Sequence, residues 1–71
     1  MAIKATIYRL HSKEEILAAQ SQGKQILTET LSRNVLTPQE RWFVDEALKK
    51  AQEERSMLFS VGATIAVQVD L

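Results

Sequence analysis

The feature that most constrains the fold of this chain is the apolar periodicity of residues 37–59. Apolar groups recur there three and four residues apart, as on one face of a helix: Val44, Ala47, Leu48, Ala51, Leu58 and the aliphatic stem of Arg55. The run Thr37-Pro38-Gln39-Glu40 supplies a capping threonine, a proline in the first turn and a following glutamate, which mark a helix N-terminus. The sequence therefore predicts one amphipathic helix over residues 37–59.

Trp42 lies outside the apolar stripe of this helix. At about 100° per residue it projects roughly 160° away from Val44, the centre of the stripe. Its neighbours on the helix surface are then three charged residues, Glu46, Lys49 and Glu53. A large indole among charged side chains is typical of a residue that contacts another molecule.

A second interpretation of Trp42 stays open, in which the indole folds back over Val35 and Leu36 as a local lid. Two further apolar residues, Phe43 and Met57, flank the stripe and widen the apolar surface beyond what one helical partner covers. They favour the first interpretation. The residues predicted to form an interface are Trp42, Phe43, Glu46, Lys49 and Met57.

Both ends of the chain alternate between apolar and polar residues, which predicts a half-buried strand at each end. Residues 2–10 place Ile3, Ala5 and Ile7 on one face. In residues 63–71 the corresponding face is formed by Ala63, Ile65, Val67, Val69 and Leu71.

A first helix is predicted between the opening strand and Asn34. Ser12 and Glu15 have the spacing of a capping box, and Arg33 with Asn34 suits a helix end. Its expected buried stripe consists of Ile16, Ala19, Gln20, Gly23, Leu27, Thr30 and Leu31. Gly23 disfavours a helix interior by about 1 kcal/mol relative to alanine, so we expect it to permit a close approach of the two helices.

These elements predict an α+β fold in the order β-α-α-β, with residues 1–71 as a single domain. The short connection at residues 34–36 would make the helices an antiparallel hairpin packed on the inner face of the two terminal strands. A two-stranded sheet is marginal by itself, so we expect dimerisation to complete it.

The chemistry-bearing residues are few. The chain has no cysteine, which fits the reducing cytoplasm, and its one histidine, His11, precedes the Ser12 cap. Adjacent carboxylates such as Glu14 and Glu15 point about 100° apart on a helix and do not form a shared-proton dyad. We therefore expect no catalytic residue, cofactor or metal, and hence no enzyme.

The charge balance bears on possible partners. Nine basic and nine acidic side chains cancel, so no overall field attracts nucleic acid or an anionic membrane. The function expected from the sequence is a small regulatory module for protein–protein interaction, a cytoplasmic homodimer that also binds another protein. The alternative is a nucleic-acid-associated regulatory protein, and a third possibility is a small enzyme with its active site at a subunit interface.

Overall fold

Residues 3–70 are described by a computed structural model, and they form two α-helices and one four-stranded sheet. The strands are β1 (Lys4–Arg9), β2 (Thr30–Leu31), β3 (Leu58–Val61) and β4 (Ile65–Asp70). The helices are α1 (Lys13–Gln22) and α2 (Pro38–Glu54), and short 3-10 turns at Gly23–Ile26 and Arg33–Val35 flank β2. The predicted α+β class is confirmed, and the chain order of the elements is β-α-β-α-β-β. Ala2 and Leu71, assigned above to the terminal strands, lie outside the described residues.

Both predicted helix starts are confirmed by their caps. The Ser12 hydroxyl accepts a hydrogen bond from the Glu15 amide at the start of α1. At the start of α2, the Thr37 hydroxyl accepts from the Glu40 amide, and the Glu40 carboxylate accepts from the Thr37 amide. Each cap satisfies amide groups that have no partner inside the helix, so the local sequence is sufficient to fix these two boundaries.

The end of α1 differs from the prediction, because this helix stops at Gln22 rather than near Arg33 and Asn34. Gly23 follows with φ 75° and ψ −159°, a backbone conformation that is essentially restricted to glycine. A Cβ atom built at Gly23 would meet nothing within 4 Å, so the expected close helix approach at this residue is wrong. The glycine is needed for its conformation and not for space.

The four strands form an antiparallel sheet in the order β2-β1-β4-β3. The two terminal strands, expected to form one sheet, do pair, and they run antiparallel with Ile7 opposite Val67 near the centre. The strand β2 and the first two residues of β3 lie in segments that the sequence predicts to be helical. Since β2 separates α1 from α2, the directly connected helical hairpin is not present.

The two helices cover opposite faces of the sheet. Alternate β4 residues, Ile65, Val67 and Val69, pack with the buried face of α2, at Val44, Ala47 and Ala51. Ala66, between them on β4, packs with Ala19 of α1. Successive strand residues point to opposite faces, so β4 is buried on both sides and the domain has three layers, helix, sheet and helix.

The end of α2 also differs from the prediction. The helix stops at Glu54, and Arg55 adopts the left-handed conformation with φ 52°. Leu58 and Phe59 therefore belong to β3 and not to the helix. Leu58 still packs against the core beneath α2, because the strand returns below the same helix.

Candidate binding surface

Trp42 lies on the outer side of α2, where 65% of it is exposed. The predicted phase of the helix is confirmed, since Val44, Ala47 and Ala51 are buried on the opposite side. The exposure of Trp42 therefore follows from helical geometry and from the burial of the α2 stripe.

A groove of about 460 Å³ runs between α2 and β3, and we call it the helix–edge groove. It is lined by Trp42, Phe43, Glu46, Ala47, Lys49, Lys50, Glu53 and Ser60. The lining combines two aromatic rings with two lysines and two glutamates. Such a mixture of apolar and balanced charged groups is able to bind polypeptide side chains of either character.

A second groove of about 510 Å³, the turn groove, lies at the N-terminal end of α2 beside the β3–β4 turn. Its lining consists of Thr37, Gln39, Glu40, Trp42, Phe43, Gly62, Ala63, Thr64 and Ile65. Trp42 and Phe43 belong to both grooves. The exposed indole of Trp42 is therefore a ridge with a concave surface on each side.

Phe43 fixes this ridge to the β3–β4 turn. A Cβ atom at Gly62 would lie 3.3 Å from the Phe43 ring and 3.1 Å from the carbonyl oxygen of Ile65. The absence of a side chain at Gly62 lets the ring and the turn approach closely. Phe43 therefore has two roles, since it packs against the core and also lines both grooves.

Glu40 forms a second link between α2 and the same turn. The hydroxyl group of Thr64 donates a hydrogen bond to Glu40 Oε2 at 2.8 Å, in addition to the bond that Glu40 accepts from the Thr37 amide. These donors, the Thr37 amide first, hold the pKa of the Glu40 carboxyl below its ordinary value. The ionised carboxylate therefore ties the start of the helix to the turn.

Four of the five predicted interface residues lie together in the helix–edge groove: Trp42, Phe43, Glu46 and Lys49. Met57, the fifth, is 65% exposed and lies just before β3, away from the lining of either groove. The sequence interpretation missed Ser60 and the turn residues, because it extended the helix through the positions where β3 begins. The clean helix signal of residues 37–54 gave no warning of that early end.

The structure also bears on the lid interpretation of Trp42. Leu36 is buried in the core beneath α2, while Val35 remains 58% exposed. An indole that served as a lid would cover Val35 and be largely buried itself. Because Val35 and Trp42 are both exposed, the structure favours an indole that faces solvent over one that covers Val35.

The histidine lies elsewhere. His11 is exposed, its Nε2 contacts the Glu29 carboxylate, and its amide donates to Glu15 Oε2. Tyr8 packs against the core beneath α1. Neither residue lines the two grooves around Trp42. These contacts are ordinary links between β1, α1 and the segment before β2.

No protein-family model, curated protein or solved structure matches this chain. Among residues 3–70, no helix has the length and apolar character needed to cross a membrane. The grooves around Trp42 are therefore interpreted from their own geometry and chemistry.

Proposed function

We propose that this protein is a non-enzymatic cytoplasmic module for protein–protein interaction, and that Trp42 is the centre of its binding surface. The observation that carries this proposal is the 65% exposure of an indole between two concave grooves. Tryptophan is enriched among the residues that dominate binding energy, and it acts most strongly when a partner removes it from water.

The chemistry of the helix–edge groove supports a polypeptide partner. Phe43 and Ala47 provide apolar surface, and the charged groups of Glu46, Lys49, Lys50 and Glu53 lie around it. Protein interfaces combine an apolar centre with a polar rim in this way. The equal number of lysines and glutamates provides little attraction for a phosphate backbone, so a protein is favoured over a nucleic acid.

The rigidity of the surface supports binding as well. Trp42 projects from a helix whose opposite side is buried, and neighbouring Phe43 packs against Gly62. The bond between Glu40 and Thr64 holds the same end of the helix to the turn. A partner therefore meets a surface that is already ordered, which lowers the entropic cost of binding.

Self-association is part of this proposal, in addition to the binding of another protein. The sheet already has four strands within one chain, so a dimer is not needed to complete it. The reason for association is instead the exposed apolar surface at Trp42 and Met57.

The test compares two truncations of similarly exposed apolar side chains, Trp42→Ala on α2 and Leu17→Ala on α1, where Leu17 is 60% exposed. Sedimentation over a micromolar concentration series measures self-association, and urea unfolding measures stability. We expect Trp42→Ala to weaken association by about 2 kcal/mol or more, roughly thirtyfold in Kd, with little change in folding stability. Leu17→Ala should leave both quantities nearly unchanged.

Equal association of the two variants would remove Trp42 from the binding surface. A large loss of folding stability in Trp42→Ala with unchanged association would instead give the indole a structural role. Either result would contradict the proposal.

A further inference from the structure

The outer strand β3 has backbone N–H and C=O groups that point outward from the edge of the sheet, in its plane. The Gly62 amide donates to the carbonyl oxygen of Ile65 at 2.8 Å, which sets the hydrogen-bonding phase of the β3–β4 hairpin. In an antiparallel pair, hydrogen-bonded positions alternate with positions whose groups face outward. Counting back from Gly62, Ser60 bonds to β4, whereas Phe59 and Val61 direct their N–H and C=O groups to the outer edge.

This edge differs from the opposite edge of the sheet. There, β2 has two residues, Thr30–Leu31, whereas Leu58–Val61 has four. No strand within residues 3–70 pairs with the outer side of β3, and its sequence, Leu-Phe-Ser-Val, contains neither a charge nor a proline to discourage pairing. Of the two edges, β3 is the one suited to receive another strand.

We propose that the occupant of this edge is a second copy of the chain, whose β3 pairs antiparallel with the first about a two-fold axis at Ser60. This inference rests on the proposed function, since it identifies how two copies associate and gives the strand register of their pairing beside the helix–edge groove. It joins the two sheets into one of eight strands, with both copies of α2 on the same face.

The hydrogen-bonding phase makes this pairing reciprocal. With Ser60 opposite Ser60 of the second copy, Phe59 lies opposite Val61 of the second copy, and Val61 opposite its Phe59. These are the residues whose backbone groups face outward, so each pair exchanges two hydrogen bonds and the interface gains four. A register shifted by one residue would instead bring outward-facing groups against inward-facing ones.

The charges and apolar residues along the edge are also compatible with self-pairing. Because Ser60 lines the helix–edge groove, pairing about Ser60 places the grooves of the two copies beside each other. Each groove contains two lysines and two glutamates, so two surfaces of balanced charge meet, and not two surfaces of the same sign. In the same register, Met57 lies opposite Ala63 of the second copy. Ala63 lines the turn groove together with Trp42. The pairing therefore brings the end of one copy that carries Met57 next to the end of the other copy that carries Trp42, and each of these residues is 65% exposed.

The experiment uses the complete chain, which has no cysteine of its own. Opposite residues at a non-hydrogen-bonded position have Cα atoms about 4.5 Å apart, within the range that a disulfide spans. Under mild oxidation at micromolar concentration, Ser60→Cys should therefore form a covalent dimer of twice the 8.0 kDa chain mass. Ser32→Cys, the same change at an exposed residue whose side chain caps nothing, is the matched control and should remain monomeric on a denaturing gel.

A second pair of variants tests the same axis without covalent chemistry. Ser60→Lys places two ammonium groups opposite each other and should raise the dimer Kd by about tenfold or more, while Ser60→Thr should preserve the dimer. Circular dichroism and urea unfolding of each variant establish that the fold is retained.

The outcomes separate this inference from the proposed function. A wild-type protein that stays monomeric at micromolar concentration overturns the β3 pairing, as do equal cross-linking of the two cysteine variants and a dimer that survives Ser60→Lys. Suppose that the two cysteine variants cross-link equally, or that the dimer survives Ser60→Lys, while Trp42→Ala still dissociates the dimer. In that case the Trp42 surface stands and only the edge pairing fails. If Ser60→Cys cross-links but Trp42→Ala has no effect, the edge pairing stands and the role of Trp42 fails.

Discussion

The two helices cover opposite faces of one sheet, but they are attached to it very differently. The ten-residue α1 buries a single residue, Ala19, and ends at Gln22 after less than three turns. The seventeen-residue α2 buries Val44, Ala47 and Ala51 against the centre of the sheet. Helix α2 therefore supplies most of the buried helical contacts with the sheet, and α1 covers its face of the sheet only in part.

The candidate binding surface lies on the better attached of the two helices. The capping box at Thr37 and Glu40 begins α2, and the Glu40–Thr64 bond holds that end to the β3–β4 turn. An anchor such as Trp42 is useful when it is presented by a rigid element, because binding then orders fewer groups. The exposed Leu17 of α1 lacks comparable support.

Truncation of a core-facing side chain in each helix should reveal this difference in attachment most clearly. Val44→Ala, at a residue that is 1% exposed, should lower the free energy of unfolding by about 2–3 kcal/mol, because it removes buried methyl groups and leaves a cavity. Ile16→Ala removes more carbon from the half-buried face of α1 but should cost only about 1 kcal/mol. Urea unfolding of both variants checks this order, and an equal or reversed cost would show that α1 contributes as much as α2.

A smaller effect distinguishes the glycines that serve the two helices. Gly23→Ala should lower the free energy of unfolding by about 1–2 kcal/mol, because alanine is strained in the backbone conformation that Gly23 adopts at the end of α1. Gly62→Ala should cost about 1 kcal/mol because its Cβ crowds Phe43 and the Ile65 carbonyl. In a Phe43→Leu background the cost of Gly62→Ala should shrink and that of Gly23→Ala should not. Unfolding of the single and double variants measures this, and equal coupling to Phe43 would contradict the assignment.

The smallest effect concerns the link at Glu40. Its pKa in the fold lies below the ordinary value of 4.5, so the ionised carboxylate stabilises the folded state. That contribution is fully present above pH 4.5 and is lost as the pH falls through the lowered pKa. We expect Glu40→Gln to cost about 1 kcal/mol or less at pH 7, since the group is partly exposed.

The measurement for Glu40 is urea unfolding at pH 7 and pH 3. The difference in stability between wild type and Glu40→Gln should be smaller at pH 3, which lies below the ordinary pKa of 4.5, because the unfolded carboxylate takes up a proton there more readily than the folded one. Glu53→Gln, on the exposed side of the same helix, controls for the removal of one surface charge. A difference that stays constant between the two pH values would exclude a pH-dependent link.

The strongest local signals predicted their structures correctly. The Thr37 capping box and the α2 stripe around Val44 each depend on neighbouring residues only, and each is found where the sequence placed it. The C-terminal strand is also found, as Ile65–Asp70, but its predicted half-buried character is wrong, because helices cover both of its faces. Trp42 was located by the same helical phase. Ser60 was missed as a lining residue, because its position depends on the return of β3 beneath α2.

The errors arose where the helical pattern continued after the helix had ended. Leu27 and Leu31 keep the spacing of the α1 stripe, yet Gly23 ends the helix and Leu31 pairs with β1 opposite Ile7. Leu58 likewise fits the stripe of α2 but belongs to β3. A short apolar segment is compatible with either state, so its surroundings decide which one forms.

Four features follow from the sequence alone: the α+β class, both helix starts, the buried face of α2 and the outward position of Trp42. Caps and periodicity are local, and a few consecutive residues are enough to specify them. Only the folded chain shows that the helices lie on opposite faces, that β2 and β3 extend the sheet, and that Ser60 faces a groove beside Trp42. Those features depend on pairing between residues distant in sequence, because β4 can bury both of its faces only when a helix covers each side.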